Sequence, residues 1–413
     1  LLGSQAYGRT YIENILLSGD IIDSIKCLKK LGIKIILNKK NCYIYGKGLN
    51  GFEYKKNIVL NAGNSGTFAR LILGLLVKSP YYIKLIGDKS LSKRDFERVI
   101  LPLQKIGANF RVNSKKTLPL QIIGSTFTNP IHYFENRGSA QCKSTVMLAA
   151  LNLPGQTIIK AKKSRDHTEN IFKHLGIPIV VKRNVHNDEI KVKGLKAFKS
   201  FNYKVPSDPS SCAFFIVLTL LAKNCKLIIK NVNVNQSRIG YIRILNKMGA
   251  KIKIKNMRVR YREKQADIYV KSQPTLKKIN CPSNLSSNLI DEFLILFLAA
   301  AKANGVSNFS NLGELNKKES PRLKLGSKLL NQLGIKTKLT KDSIKIFGNP
   351  DIDLKKTIRI KNYHKDHRIF MTAVIAAFTF GGKWKINDID SYKSSFPSFL
   401  DIIKKLGFKF KLI

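Results

Sequence analysis

The chain has 413 residues, 44% of them hydrophobic, and carries 74 Lys and Arg against 26 Asp and Glu, a formal net charge of +48. That length exceeds one ordinary hydrophobic core and predicts two domains, while no apolar run reaches the roughly 18 residues that a membrane-spanning helix needs. The six cysteines (Cys27, Cys42, Cys142, Cys212, Cys225 and Cys281) form no CxxC pair, which reads as reduced core thiols and not as a disulfide framework or a metal site.

The positive charge is mostly lysine spread along strands, as in Lys251-Ile252-Lys253-Ile254-Lys255, with no basic arm or tail. The accompanying richness in Ile and Asn points to a coding bias. We read it as a solvated basic surface, compatible with anionic substrates, over a dedicated nucleic-acid face.

In chain order, the first expected helix runs through Ile21, Ile25, Leu28 and Leu31 behind an Asp20 cap, and an alternating strand follows at Asn41–Gly46. A short strand, Asn57–Leu60, then leads into Asn61-Ala62-Gly63-Asn64-Ser65-Gly66-Thr67-Phe68-Ala69-Arg70. This stretch reads as an anion cradle opening the helix that continues through Leu71–Val77. Asn64 or Ser65 can cap that helix, Gly63 and Gly66 admit a ligand close to the main chain, and the Arg70 fork lies about one turn in. An ordinary Gly-rich strand-to-helix turn is spelled the same way. Further along, Asp267–Val270 reads as a strand, and Cys212–Ala222 and Ile369–Phe380 as buried helices.

One signal recurs six times: an amphipathic helix end, a glycine and a short strand, at Cys27–Ile35, Pro102–Phe110, Ile171–Ile179, Ile244–Ile252, Leu329–Thr337 and Ile402–Phe410. Its glycines, Gly32, Gly107, Gly176, Gly249, Gly334 and Gly407, are 75, 69, 73, 85 and 73 residues apart. Each would supply the left-handed position that ends a helix. The period is too long for a solenoid of small repeats. Six such α/β units suggest two domains of three, each with helices inside and sheets outside. The Pro- and Ser-rich Val205–Ser211 is the expected boundary, giving domains 1–205 (its first repeat truncated) and 206–413.

Polar patches interrupt the ends of the apolar helices at Asn64–Arg70, Gly87–Arg94, Gly138–Ser144, Ser164–His167, Asp291-Glu292 with Lys318–Arg322, and Asp366–Arg368. Singly, each has an ordinary reading as a surface cation or a helix cap. His167 and His367 read as structural hydrogen-bonders, since neither has a second ligand at helical spacing. Together, arginines and a lysine at helix starts, with two carboxylates able to act as acid and base, describe a site for a multiply anionic substrate pair.

With these motifs the chain resembles the 3-phosphoshikimate 1-carboxyvinyltransferase (EPSP synthase) family. The matching phrases are Ala62–Arg70, Gly87–Arg94, Ser139–Ser144, Ser164–Glu169, Val205–Phe215, Ile290–Glu292, Lys318–Arg322, Asp366–Arg368 and Ser395-Phe396-Pro397, in family order across essentially the whole chain. The resemblance implies a two-domain inside-out α/β prism built from six βαβαββ repeats, the first domain binding substrate. It implies transfer of the enolpyruvyl group of phosphoenolpyruvate to the 5-hydroxyl of shikimate 3-phosphate, without a cofactor or metal, by a cytoplasmic monomer that engages neither nucleic acid nor membrane. It places Gly66, Arg70, Arg94, Gln141, Arg322 and Arg368 at phosphoenolpyruvate. Ser139, Ala140, Gln141, Ser164, Arg165, Asp291 and Lys318 would hold shikimate 3-phosphate. Asp291, Lys318 and Glu319 would be catalytic, Asp291 taking the hydroxyl proton and Glu319 handling the methylene proton. Glyphosate is the expected competitor of phosphoenolpyruvate.

The chain departs from the family pattern in places. The family opens with a strand carrying Lys-Ser-x-x-x-Arg, and this sequence begins just downstream, which we read as trimming. Asn316, Lys317, Pro321, Asp95 and Ser207 stand where Arg, Val, Asp, Pro and Gly are usual, and Ser394 and Lys393 flank the place of a lysine found in some members. Within the fold, the rival is the enolpyruvyl transferase acting on UDP-N-acetylglucosamine, which uses a reactive loop cysteine; no cysteine here has that context. From another class, the rival is a basic nucleic-acid-binding protein on the same scaffold, which would need aromatic platforms or a segregated basic face.

Overall fold

In the computed structural model, which describes residues 1–412, the six spaced glycines close six helices. Gly32, Gly107, Gly176, Gly249, Gly334 and Gly407 have φ between +69° and +123°. Strands follow five of them, at Lys34–Asn38, Asn109–Val112, Ile179–Arg183, Lys253–Arg260 and Thr337–Leu339. The sixth copy differs from expectation: residues 408–412 form no strand. Phe408 and Phe410 instead pack on Phe378, with ring centroids 4.7 and 6.3 Å away, so side-chain packing and not a strand ladder holds this end. A short helix, Leu2–Gln5, comes first in the chain, and the helix expected behind Asp20 begins earlier than its sequence suggests. Ser18 is the cap residue of Gly19–Lys30, and Asp20 lies in the first turn.

Contacts divide the chain into two compact units, Leu1–Val205 and Pro206–Ile413. The first unit carries three four-stranded sheets. In one, Asn202–Lys204 runs parallel to Tyr7–Glu13, which is antiparallel to Asn41–Lys47. In another, Gln156–Lys162 lies between His132–Glu135 and Asn187–Lys193. Alternate residues of Gln156–Lys162 are buried and exposed, as expected of a sheet with one wet face. Gly66–Leu75 and Ala140–Ala150 are buried almost all round, which is why they read as apolar runs, whereas Gly19–Lys30, Glu97–Ile106 and His167–His174 bury one side only. Gly66–Leu75 and Ala140–Ala150 meet at Gly74, where a Cβ would stand 2.3 Å from the Thr145 carbonyl oxygen. Only glycine allows that approach.

The second unit repeats this plan with sheets of three, four and two strands. Its helices Pro209–Leu221, Phe293–Ala301 and His367–Thr379 are buried along nearly their whole length. Phe293, Phe297 and Phe309 pack with centroids 5.1 to 6.1 Å apart. Both units therefore keep helices inside and sheets outside. Among the described residues, no helix is long and apolar enough to cross a membrane. The consequence for function is that the polar N-termini of buried helices are the places where chemistry can be held rigidly.

Candidate active site

The strand Val59–Asn61 delivers the chain to a tight turn and then to the helix Gly66–Leu75. Ser65 is the cap, its hydroxyl accepting the Phe68 N–H at 3.2 Å. Asn64 is engaged elsewhere, for its amide donates to Asp88 Oδ2 at 2.6 Å and accepts from Arg94 Nη2 at 3.3 Å. Asp88 in turn accepts the Leu91 N–H at 2.7 Å, fixing the loop that carries Arg94. Gly66 sits between two guanidinium groups. A Cβ there would come within 2.8 Å of Arg94 Nη1 and 2.9 Å of Arg70 Nη1.

Arg70 is buried beneath this turn. Its Nη1 donates to the Gly66 carbonyl at 3.2 Å and to Gln141 Oε1 at 3.1 Å, and its Nη2 to the Asp95 carbonyl at 3.1 Å. The guanidinium stacks over Phe96 at 4.9 Å. Burial first, then repulsion from Arg94 and Arg98, draws its pKa down to about 10, so it stays charged at neutral pH. This cation crowding favours an added anion.

Gln141 joins this group to a second helix start. Its amide donates to Thr67 Oγ1 at 2.8 Å. Ser139 caps Ala140–Ala150, its hydroxyl accepting from Cys142 N at 3.3 Å, so Ala140 is the first helical residue. Upstream, the Glu135 carboxylate accepts the Arg137 and Gly138 N–H groups at 3.1 and 2.8 Å and shapes the loop into Ser139. Burial raises the pKa of Glu135 despite those donors. Ser164 and Arg165 lie in the connection between Gln156–Lys162 and the helix His167–His174. The Ser164 side chain is buried, and its hydroxyl has no hydrogen-bond partner among the described residues.

In the second unit Arg322, the first residue of its helix, is the hub. It is 2% exposed. Its Nε and Nη2 donate to Asp366 Oδ2 and Oδ1 at 2.9 and 3.2 Å, a bidentate pair. Nη2 also lies 2.5 Å from Glu319 Oε2, and Nη1 lies 3.6 Å from Asp291 Oδ1. That Asp291 oxygen is 3.5 Å from Lys318 Nζ and 4.0 Å from Arg368 Nε. Arg368 Nη1 donates to the Asp291 carbonyl at 2.7 Å and so fixes the turn before Phe293–Ala301. Asp366 caps its own helix, accepting from Arg368 N at 2.9 Å.

Burial opposes the charge on Asp366, but Arg322 and His367 outweigh it and hold the carboxyl below its ordinary pKa. The neighbouring His367 is lowered to about 4, first by burial; Asp366 pulls it up, and Arg322 and Arg368 push it down. A histidine whose folded pKa is depressed contributes stability that is full above its unfolded value of about 6.5 and is lost as pH falls toward about 4. Thermal unfolding should therefore become easier across that window, by up to about 1 kcal/mol per pH unit. Asp366 adds its own loss only below about pH 4. Melting curves of wild type and His367→Gln over the same window test this; equal pH slopes would rule it out.

Most of the residues expected from the sequence thus gather into two clusters, while Ser164 and Arg165 lie on the connection before His167–His174. Gly66, Arg70, Arg94 and Gln141 contact one another in the first unit, with Ser139 and Ala140 at the same helix start. Asp291, Lys318, Glu319, Arg322 and Arg368 form the second. Several of their partners have no sign in the sequence pattern. Asp366 shares a motif with Arg368, yet its strongest partner is Arg322. Asp95 stands out in the sequence only as a departure; its carboxylate accepts Glu97 N at 2.7 Å and faces Arg98 and Arg137 at 3.5 and 3.8 Å. An Asp two residues before a helix start is a recognisable capping signal. Asn316 also acquires a role, accepting Leu323 N at 3.2 Å at the start of the Arg322 helix. Pro321 stands directly before that helix. Among the described residues no group of three or more His, Cys, Asp or Glu side chains is arranged to hold a metal ion.

The family model described as EPSP synthase (3-phosphoshikimate 1-carboxyvinyltransferase) matches residues 1–403. A 3-phosphoshikimate 1-carboxyvinyltransferase from Ruthia magnifica subsp. Calyptogena magnifica is 41% identical over 100% of this chain and 93% of its own. The solved EPSP synthase from Acinetobacter baumannii is 33% identical, with a TM-score of 0.84 over 98% of this chain and 91% of that one. The enolpyruvyl transferase NikO from Streptomyces tendae, 13% identical with a TM-score of 0.74 over 98% of this chain and 90% of that one, shares the fold.

Proposed function

Because this chain belongs to the EPSP synthase family, we infer that its two polar clusters serve the two substrates of that family's reaction. The enzyme transfers the enolpyruvyl group of phosphoenolpyruvate to the 5-hydroxyl of shikimate 3-phosphate, giving 5-enolpyruvylshikimate 3-phosphate and phosphate in the shikimate pathway. The observation that carries the assignment of residues is the pair of guanidinium groups around Gly66, a preformed double cation whose forks both lie within 3 Å of where a Cβ on that residue would stand.

Gly66, Arg70, Arg94 and Gln141 of the first unit bind phosphoenolpyruvate, a role that the family resemblance also gives to Arg322 and Arg368 of the second. Ser139, Ala140 through its backbone, Gln141, Ser164 and Arg165 of the first unit bind shikimate 3-phosphate, and the family resemblance gives Asp291 and Lys318 of the second the role of acting on its reacting hydroxyl. The unpartnered Ser164 hydroxyl supports this, since a buried hydroxyl without a partner is costly unless a ligand supplies one. Asp291 accepts the proton of the 5-hydroxyl as that hydroxyl oxygen bonds to C2 of phosphoenolpyruvate, and Glu319 passes a proton to the methylene carbon. Loss of that methyl proton, through Glu319, expels phosphate from the tetrahedral adduct. Each carboxylate lies within 4 Å of a cation, so charge moved during these steps is met by fixed charges.

Phosphate release from the two substrates together, and from neither alone, tests the function. Release with UDP-N-acetylglucosamine in place of shikimate 3-phosphate would transfer the assignment to the rival transferase. Tight, salt-sensitive binding of random DNA without turnover would favour a nucleic-acid role. The reading also takes the protein as a cytoplasmic monomer, which light scattering of the purified protein checks for the oligomeric part.

Gly66→Ala should raise the ratio of the glyphosate inhibition constant to the phosphoenolpyruvate KM. The added methyl must displace the Arg94 or Arg70 fork, each under 3 Å away, and the longer anion has less room to follow. An unchanged ratio would remove Gly66 from the phosphoenolpyruvate pocket.

A further inference from the structure

The first unit contains an ion pair that the reaction itself does not use. Lys143 Nζ lies 2.5 Å from Glu169 Oε1, and each side chain is 1% exposed. Glu169 Oε2 has no hydrogen-bond partner among the described residues, so Lys143 meets this buried charge through the other oxygen alone. Lys143 stands in the first turn of Ala140–Ala150, and Glu169 in the first turn of His167–His174. The next residue on one helix and the preceding one on the other make a second link, Ser144 Oγ to Thr168 Oγ1 at 2.7 Å. Both links therefore tie helix start to helix start.

A fully buried ion pair is a poor source of stability, because desolvation offsets the attraction and a well-packed apolar pair does as well. What it does supply is direction: one geometry satisfies both charges, and sliding one helix along the other breaks it. The helix starts it joins carry Ser139, Ala140 and Gln141 on one side and follow Ser164 and Arg165 on the other. We propose that Lys143–Glu169, with Ser144–Thr168, is a positioning clamp that sets the spacing of the two segments holding shikimate 3-phosphate. This rests on the assignment of that substrate to those segments. None of the four residues touches the reacting atoms; they act through the alignment of the groups that bind the phosphate and ring, where displacement of about 1 Å is enough to matter.

The test is steady-state kinetics and direct shikimate 3-phosphate binding, with melting temperatures measured in parallel. The paired substitution Lys143→Met with Glu169→Leu removes both charges and so strands neither. It should melt close to wild type, raise the KM and Kd for shikimate 3-phosphate by about tenfold or more, and leave the phosphoenolpyruvate KM within about twofold. Thr168→Val should raise the shikimate 3-phosphate KM by about threefold, and Thr168→Ser, which keeps the hydroxyl, should restore it. A folded paired variant with wild-type shikimate 3-phosphate KM overturns the clamp, as does an equal rise in both KM values. If the paired variant does not fold, Thr168→Val decides alone, and an unchanged KM there overturns the clamp. A wild type that releases no phosphate from the two substrates overturns the functional reading and the clamp with it.

Discussion

Asp291→Asn should leave the fold intact and lower turnover by at least about a hundredfold, the scale of a lost general base. The substitution is nearly isosteric and leaves the main-chain carbonyl that Arg368 holds at 2.7 Å untouched. What it removes is the negative charge of the carboxylate whose Oδ1 lies 3.5 Å from Lys318, 3.6 Å from Arg322 and 4.0 Å from Arg368. Three cations surround this one carboxylate, and an amide in its place carries no charge to meet them and cannot accept the proton. Glu319→Gln should fall by a similar factor, through loss of both proton transfer and its contact with Arg322. The measurement is kcat at saturating substrates in the complete protein, with melting temperature as the control for folding. Wild-type turnover in a folded Asp291→Asn protein would remove this residue from the mechanism.

Arg322→Met should be the most damaging single change to stability, costing about 3–5 kcal/mol, the usual result of removing one partner from a buried ion pair. Arg322 satisfies Asp366 through two hydrogen bonds and stands beside Glu319 and Asp291. Without it the Asp366 carboxylate, whose side chain is 0% exposed, keeps only Ser320 Oγ at 2.7 Å and the Arg368 N–H. Its pKa then rises toward the unfolded value, so the stability that ionised Asp366 contributes above that value shrinks, and the loss on acidification that this carboxyl causes in the wild type shrinks with it. Arg322→Lys keeps the charge without the planar fork and should lose less stability while still weakening phosphoenolpyruvate binding. Denaturant unfolding at neutral pH measures the loss. Adding Asp366→Asn to Arg322→Met should recover part of it, since the stranded charge is gone. A loss below about 1 kcal/mol for Arg322→Met would mean that Asp366 is not held by this arginine.

The glycine-closed helix ends were legible from sequence because they depend on one residue's backbone freedom and the apolar period just before it. Where a copy departed from expectation, at residues 408–412, the local pattern was present but no neighbouring strand accompanied it. Strand formation needs a partner, and a partner is not a local property. The cap of the Gly66 helix shows the same limit on a smaller scale. Asn64 and Ser65 are chemically equivalent candidates, and only the position of Asp88 and Arg94, more than twenty residues on, commits Asn64 elsewhere.

The candidate site divides along that line. The residue types at helix starts, namely Gly66, Ser139, Asp291, Arg322 and Arg368, were determined by the sequence, because a buried helix can expose polar chemistry only at its ends. Which of them meet was decided by tertiary packing. Arg70 reaches Gln141 across 71 residues, and Arg322 reaches Asp366 across 44. The close crossing at Gly74 sets the first of these distances, by bringing the helix of Arg70 against the helix of Gln141. The chain by itself names the charges that the site contains. Only the folded core decides which charges face one another, because their pairing is fixed by the packing of apolar helices that carry no charge at the contact.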